Sequence, residues 1–215
     1  MKRQPIHRNR TSGFTLVELS IVLVIIGLII GGVLTGRQIM ENAQITNAVN
    51  SIQAFEAQFQ TYMQNYNAMP GDDTSGLSRF SLTGTAGNGD GTLNGDFDSQ
   101  TASDETRLVW QELRAAGLVK QISGADQTLQ PANPFGGIYG YQHGAFSGGI
   151  TTNVLCLSDV PSDAAQAIDS RLDDGVINAG TVQAVLTATA PGAADGAAAN
   201  TGYVTGQTYT VCIRM

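Results

Sequence analysis

Histidine, cysteine and charge are all scarce in this 215-residue chain, and each shortage removes a class of function. Its two histidines, His7 and His143, and its two cysteines, Cys156 and Cys212, form no cluster with metal-site spacing. There is no nucleophile elbow and no glycine-rich phosphate loop ending in Lys-Ser or Lys-Thr. A catalytic site would have to rest on carboxylates alone, and nothing singles out which, so the chain is not read as an enzyme. Basic residues are fewer still. After residue 13 there are 7 basic against 18 acidic residues, a net charge of −11. Such a surface repels phosphate backbones, so no nucleic-acid partner is expected.

Hydrophobic residues make up an ordinary 42% but are unevenly placed. Residues 14–34 are 21 positions whose only polar side chains are Thr15, Glu18 and Ser20. As a helix this run is about 31 Å long, the hydrocarbon thickness of a bilayer. No later segment is as apolar, so one membrane span and one soluble domain are expected. Residues 1–13 carry Lys2, Arg3, Arg8 and Arg10 and no acid. A short basic segment stays cytoplasmic, which sends everything after the span to the far side.

The leader is not that of an ordinary secreted protein. A secretory signal has a shorter apolar core followed by a small-residue cleavage site. Here the run is long, no A-x-A follows it in GGVLTGRQIMENAQ, and the small residue, Gly13, comes before it. Cleavage after Gly13 would remove the charges and keep the anchor.

Gly13-Phe14-Thr15-Leu16-Val17-Glu18 after a short basic leader resembles the prepilin signature of type IV pilins and type II secretion pseudopilins. The resemblance is specific over residues 8–36 and is a matter of pattern beyond them. It implies removal of residues 1–13 by a membrane prepilin peptidase and N-methylation of the new first residue, Phe14. It implies a single-pass inner-membrane subunit, N-terminus inside and head in the periplasm, handed through an inner-membrane assembly platform to copies of itself or related subunits. The filament is then an extracellular pilus or a short periplasmic pseudopilus, and both remain open, as does a minor pilin with an adhesive head. An ionised acid within a membrane helix is costly, so such residues are usually paired and functional. In the family this glutamate meets the N-terminal amine of a neighbouring subunit. For this chain that pairs Glu18 with Phe14 of the next copy and sets subunit register. Minor subunits at filament tips sometimes lack the glutamate, which favours a subunit stacked within the fibre.

The expected fold is α+β, with a long N-terminal helix packed against a C-terminal antiparallel sheet. Residues 14–36 form the membrane and filament-core half of that helix and residues 37–66 its amphipathic half, leaving 67–215 as the head. Ile45, Val49, Ile52, Phe55, Phe59, Tyr62 and Tyr66 recur at spacings of three and four, a core-facing stripe. Many type IV pilins carry a proline in the first half, where this chain has Gly27, Gly31, Gly32 and Gly36. Local melting in a fibre and close packing through small residues are the two readings of those glycines.

Pro70-Gly71-Asp72-Asp73 ends the helix and opens a Gly/Asp-rich loop over 70–101, too polar to be core. Within it, Asn88 to Asp98 resembles part of a calcium loop, with Asp90, Asp96 and Asp98 as candidate ligands. An acid is missing at Ala86 and no closing glutamate follows, so a solvated turn is preferred and no cofactor is expected. A helix is predicted over 103–116, capped by Ser103 and ended by Gly117, with Trp110 in the core. Strands are predicted at 138–141, 151–157, 181–187 and 203–213, a helix over 163–172, and an Ala/Gly-rich loop over 188–202. Acids at 169, 173 and 174 leave two readings, a metal site and a solvated helix end, of which the second is the simpler. In an oxidising compartment Cys156 and Cys212 are expected to pair, closing a loop of roughly 57 residues worth on the order of 4 kcal/mol, the alternative being two buried thiols.

Overall fold

The computed structural model describes residues 13–122, 126–146, 149–187 and 202–215. Two compact units divide the chain, Met1–Asn42 and Ala43–Met215. Most of the leader, residues 1–12, and most of the Ala/Gly-rich loop, residues 188–201, lie outside the described residues.

Helix α1 (Leu16–Tyr66) contributes to both units. In the first, side chains from residue 14 to 42 are exposed almost without exception, Phe14, Leu16 and Leu28 among the most. The helix is unbroken across Gly31 and Gly32, and no side chain or foreign backbone comes within 4 Å of where a Cβ would stand at Gly27, Gly31, Gly32 or Gly36.

In the second unit the α1 stripe becomes core. Ile45, Ala48, Ile52, Phe59 and Tyr62 are buried, with Val49, Phe55 and Tyr66 half-buried beside them. They meet one face of a four-stranded antiparallel sheet made by β1 (Tyr139–Ala145), β2 (Ile150–Pro161), β3 (Val182–Leu186) and β4 (Thr208–Arg214), in spatial order β1-β2-β4-β3. Tyr139, Leu157, Val211 and Ala184 form one cross-strand row on that face; Tyr141, Leu155, Ile213 and Val182 form the next. Phe55 sits edge-on to both Trp110 and Tyr139, each ring 5.1 Å away. Such pairs add roughly 0.5–1.5 kcal/mol beyond their buried area.

The other face of the sheet is also covered. Gly140, Cys156, Cys212 and Gln183 form a row there, and the Cys156–Cys212 disulfide joins two strands that are already paired in register. Phe97, Phe146, Ile150, Val154 and Val185 enclose it. The loop that supplies Phe97 wraps the edge strand β1, because Leu93 packs in the helix-side cluster and Phe97 in the opposite one. Gly140 permits this approach, since a Cβ there would stand 2.0 Å from the Phe97 carbonyl oxygen. In β2 the alternation slips between Leu157 and Val160, where Asp159 takes φ 57°, so Val160 returns to the helix side.

Helix α3 (Glu105–Ala115) and α4 (Ser162–Leu172) complete the helix-side layer. Trp110 is fully buried as expected. Gly117 at φ 72° ends α3: its N–H bonds to the Arg114 carbonyl and the Leu118 N–H reaches back to Leu113, the Schellman pattern. Four expectations need correction. The 70–101 loop contains a short helix, α2 (Gly76–Phe80), and two core residues, Leu93 and Phe97, so it is not merely polar turn. Helix α3 starts after Asp104 rather than Ser103, because Asp104 supplies the extended residue and the carbonyl that accepts the Arg107 and Leu108 amides. The final strand begins at Thr208, not at residue 203: the Val204 N–H is drawn to the Tyr209 hydroxyl at 2.7 Å and Gly206 turns at φ 82°. Asp169, in the last turn of α4, is fully buried, so of the three acids there only Asp173 and Asp174 reach solvent.

Gly140→Ala is expected to lower the unfolding free energy by about 1–3 kcal/mol, the usual cost of forcing backbone apart in a packed core. Equilibrium urea unfolding measures it, and an unchanged midpoint would mean the Phe97 carbonyl does not seat on β1.

Candidate assembly site

The first turn of α1 explains how a glutamate is held at this position. Leu16 is the first helical residue, so Thr15 is the N-cap and Glu18 the third helical position. The Glu18 amide donates to Thr15 Oγ1 at 3.3 Å, and Glu18 Oε2 accepts the Thr15 amide at 2.8 Å and its hydroxyl at 3.0 Å. This is a reciprocal capping box, which satisfies two amides that would otherwise lack partners at the helix start. The Thr-x-x-Glu spacing was legible in the sequence; weighing Glu18 only as an intermolecular charge misses it. Gly13 and Phe14 precede the helix and are exposed, so the bond between them lies in non-helical, accessible chain.

Residues 8–34 match the family model of the prokaryotic N-terminal methylation motif. That motif is the prepilin signature of type IV pilins and pseudopilins, a structural rather than an enzymatic family. It fits anchoring of α1 in the inner membrane before assembly into a filament, after processing by a prepilin peptidase. Among the described residues, α1 is the one helix long and apolar enough to cross a membrane. No curated protein and no solved structure matched the chain. The methylation motif spans the end of the leader from residue 8, Gly13, Phe14 and Glu18; beyond residue 34 the layout rests on the structure alone.

The calcium candidates do not come together as a set. Asp90 converges instead with Asp72 and Glu105, their carboxylate oxygens within 4.8 Å of one another, and neither Asp96 nor Asp98 joins them. Asp72 and Glu105 act as clamps on the loop. Asp72 accepts the amides of Gly89, at 2.5 Å, and Gly91, at 2.8 Å; Glu105 accepts those of Asn88, at 3.0 Å, and Asn94, at 2.9 Å. Asp90 accepts the Thr92 amide and hydroxyl, which hold its carboxyl below the usual range. Asp98 behaves oppositely, pushed up by burial and by the charge of Asp96. Sequence reading missed Asp72 and Glu105, because each lies more than ten residues from the loop position it serves.

Asp169, Asp173 and Asp174 also converge and are likewise engaged. Asp169 accepts the Tyr203 hydroxyl at 2.7 Å and the Gly175 amide at 3.1 Å; Asp173 accepts the amides of Thr181 and Val182, and Asp174 that of Val176. A 720 Å³ groove opens between the 92–104 loop and the end of β1, with Asp96, Asp104, Gln142 and His143 in its wall. Much of that wall is bonded internally. Asp104 takes the Ser99 hydroxyl, Gln142 spans the Phe97 amide and the Gly144 carbonyl, and His143 Nδ1 pairs with Asn153 Oδ1.

Asp72→Ala removes the acceptor of the Gly89 and Gly91 amides in an exposed loop and is expected to cost about 1–2 kcal/mol. Thermal unfolding of the full chain in detergent measures it; a loss under 0.5 kcal/mol would remove the clamp. Thr15→Val is expected to cost about 1 kcal/mol locally, seen as faster hydrogen exchange at residues 16–19 with the rest of α1 unchanged.

Proposed function

We propose that this chain is a structural subunit of a type IV pilus-like filament. It is cleaved after Gly13, N-methylated at Phe14 and assembled through the first half of α1, with Glu18 setting the register between neighbours. The supporting observation is a single coincidence. The methylation motif ends in a helix whose side chains, from residue 14 to 34, are exposed and almost wholly apolar. Among the described residues of its own unit that surface has no partner, and lipid or sister helices are the environments that accept it.

The capping box sharpens the role of Glu18. In the unprocessed subunit its carboxylate bonds to Thr15; after cleavage the amine of Phe14 becomes a second, charged partner offered by the next copy. Glu18→Gln keeps an acceptor for the Thr15 amide and removes the charge, whereas Glu18→Ala removes both. Both variants are expected to insert and be cleaved normally but to yield no filaments by electron microscopy of sheared cells. Normal filaments from Glu18→Gln would show that capping suffices and that no charge pair sets the register.

The head in this reading needs no cofactor, because the loop at 88–94 is ordered by four amide bonds to Asp72 and Glu105. Its melting temperature is expected to be the same in EDTA and in millimolar calcium. A rise with calcium that Asp90→Asn abolishes would make the loop an ion site.

A further inference from the structure

The last turns of α1 meet the 71–76 turn, α2 and α3 through a buried polar cluster that filament assembly does not use. Tyr62 is fully buried, Glu112 is 1% exposed and Asp73 2%. The Tyr62 hydroxyl lies 2.9 Å from Asp73 Oδ2 and 3.2 Å from Glu112 Oε2. The Gly71 amide donates to the same Glu112 oxygen at 2.8 Å. Arg79 from α2 pairs with Asp73 Oδ2, and the Ser75 amide donates to Asp73 Oδ1 at 2.8 Å. Gly76 leaves no room beyond: a Cβ there would stand 2.3 Å from Glu112 Oε1.

Counting hydrogens fixes the chemistry. Tyr62 has one hydroxyl proton and two carboxyl neighbours. Asp73 already accepts from Arg79 and Ser75, the pattern of a carboxylate, and sits at the shorter distance. If the phenol proton goes to Asp73, the Tyr62 oxygen turns its lone pairs toward Glu112, and that contact is attractive only when Glu112 carries the hydrogen. We propose that Glu112 is a proton-operated latch: protonated, it donates to Tyr62 and fastens α3 to the last turns of α1, and deprotonation loosens that junction.

Electrostatics agree with the hydrogen count. Burial first, and the Asp73 charge after it, push Glu112 up to about 7, against the Gly71 amide and Arg79, which favour its ionised form. Burial and the same two carboxyls push the Tyr62 phenol up, so it keeps its proton throughout. The charged and titratable groups facing Glu112 are Tyr62 from α1, Asp73 from the turn and Arg79 from α2. Because the folded value lies above the unfolded one of 4.5, the folded protein binds the extra proton between them. Stability from this group is complete below 4.5, declines as pH rises, and is lost as pH passes about 7. The latch is tight in acid and slack above neutrality.

The test is thermal and urea unfolding of the full chain in detergent micelles from pH 5 to pH 8, wild type beside Glu112→Gln, whose amide can donate to Tyr62 at every pH. One linked proton changes the wild-type unfolding constant by up to about tenfold per pH unit. Relative to the variant, the wild type is expected to weaken steadily to pH 7 and then level off. Parallel pH profiles for the two proteins would overturn the latch. A carboxyl ¹³C titration of wild-type Glu112, independent of any variant's folding, is expected to have its midpoint near 7; a midpoint below 5 would overturn it as well.

Discussion

One helix has to satisfy two environments, and the rest of the structure follows from that constraint. Over residues 16–34, α1 is apolar on almost every side and its side chains are exposed. From Ile45 to Tyr66 it is apolar along one stripe only, and that stripe is filled by Trp110, Tyr139, Tyr141 and the aliphatic face of the sheet. A segment apolar all round demands lipid or other helices, while an amphipathic one is content against its own head. The boundary between these patterns agrees with the division of the chain after Asn42. Near the start of the first segment stands Glu18, whose capping box with Thr15 lets the helix begin cleanly in such surroundings.

The acidic head handles its charge by turning carboxylates toward backbone. Asp72, Glu105, Asp169 and Asp173 each accept amide hydrogens from chain segments that would otherwise have no regular secondary structure to bond with. An amide outside a helix or sheet finds its partner elsewhere, and a carboxylate can serve two at once. The excess of acid is therefore in part structural. The two buried arginines of α3 do the reverse: Arg107 donates to the carbonyls of Thr128 and Ser99, and Arg114 to those of Gln127 and Leu129. Glu112 also accepts an amide, that of Gly71, but is set apart by lying beside a second carboxyl and a single phenol proton.

Much of this was legible in the sequence because it is local or periodic. The three- and four-residue spacing from Ile45 to Tyr66 marked the core stripe, β-branched and aromatic runs marked the strands, and the segment from Gly13 to Glu18 marked the methylation motif. What was not legible depends on distant partners. Nothing in the run around Asn88 announces that Asp72 and Glu105 bind its amides, and nothing near Phe97 shows that Gly140 admits its carbonyl. Asp169 looked solvated because Tyr203, which buries it, lies 34 residues later. Arg114 stands in the last turn of α3, yet its side chain reaches across to a separate loop. The two cysteines gave a pairing but not its placement, on neighbouring strands beneath Phe97 and Phe146.

The claim on which the functional reading turns is that the mature protein begins at Phe14 and resides in a filament. Filaments sheared from the surface of the native cell, and the membranes left behind, can be digested and examined by mass spectrometry for the N-terminal peptide. A peptide starting at Phe14, heavier by one methyl group and present in the sheared fraction, is the expected result. A peptide that still carries residues 1–13 in both fractions would contradict the account.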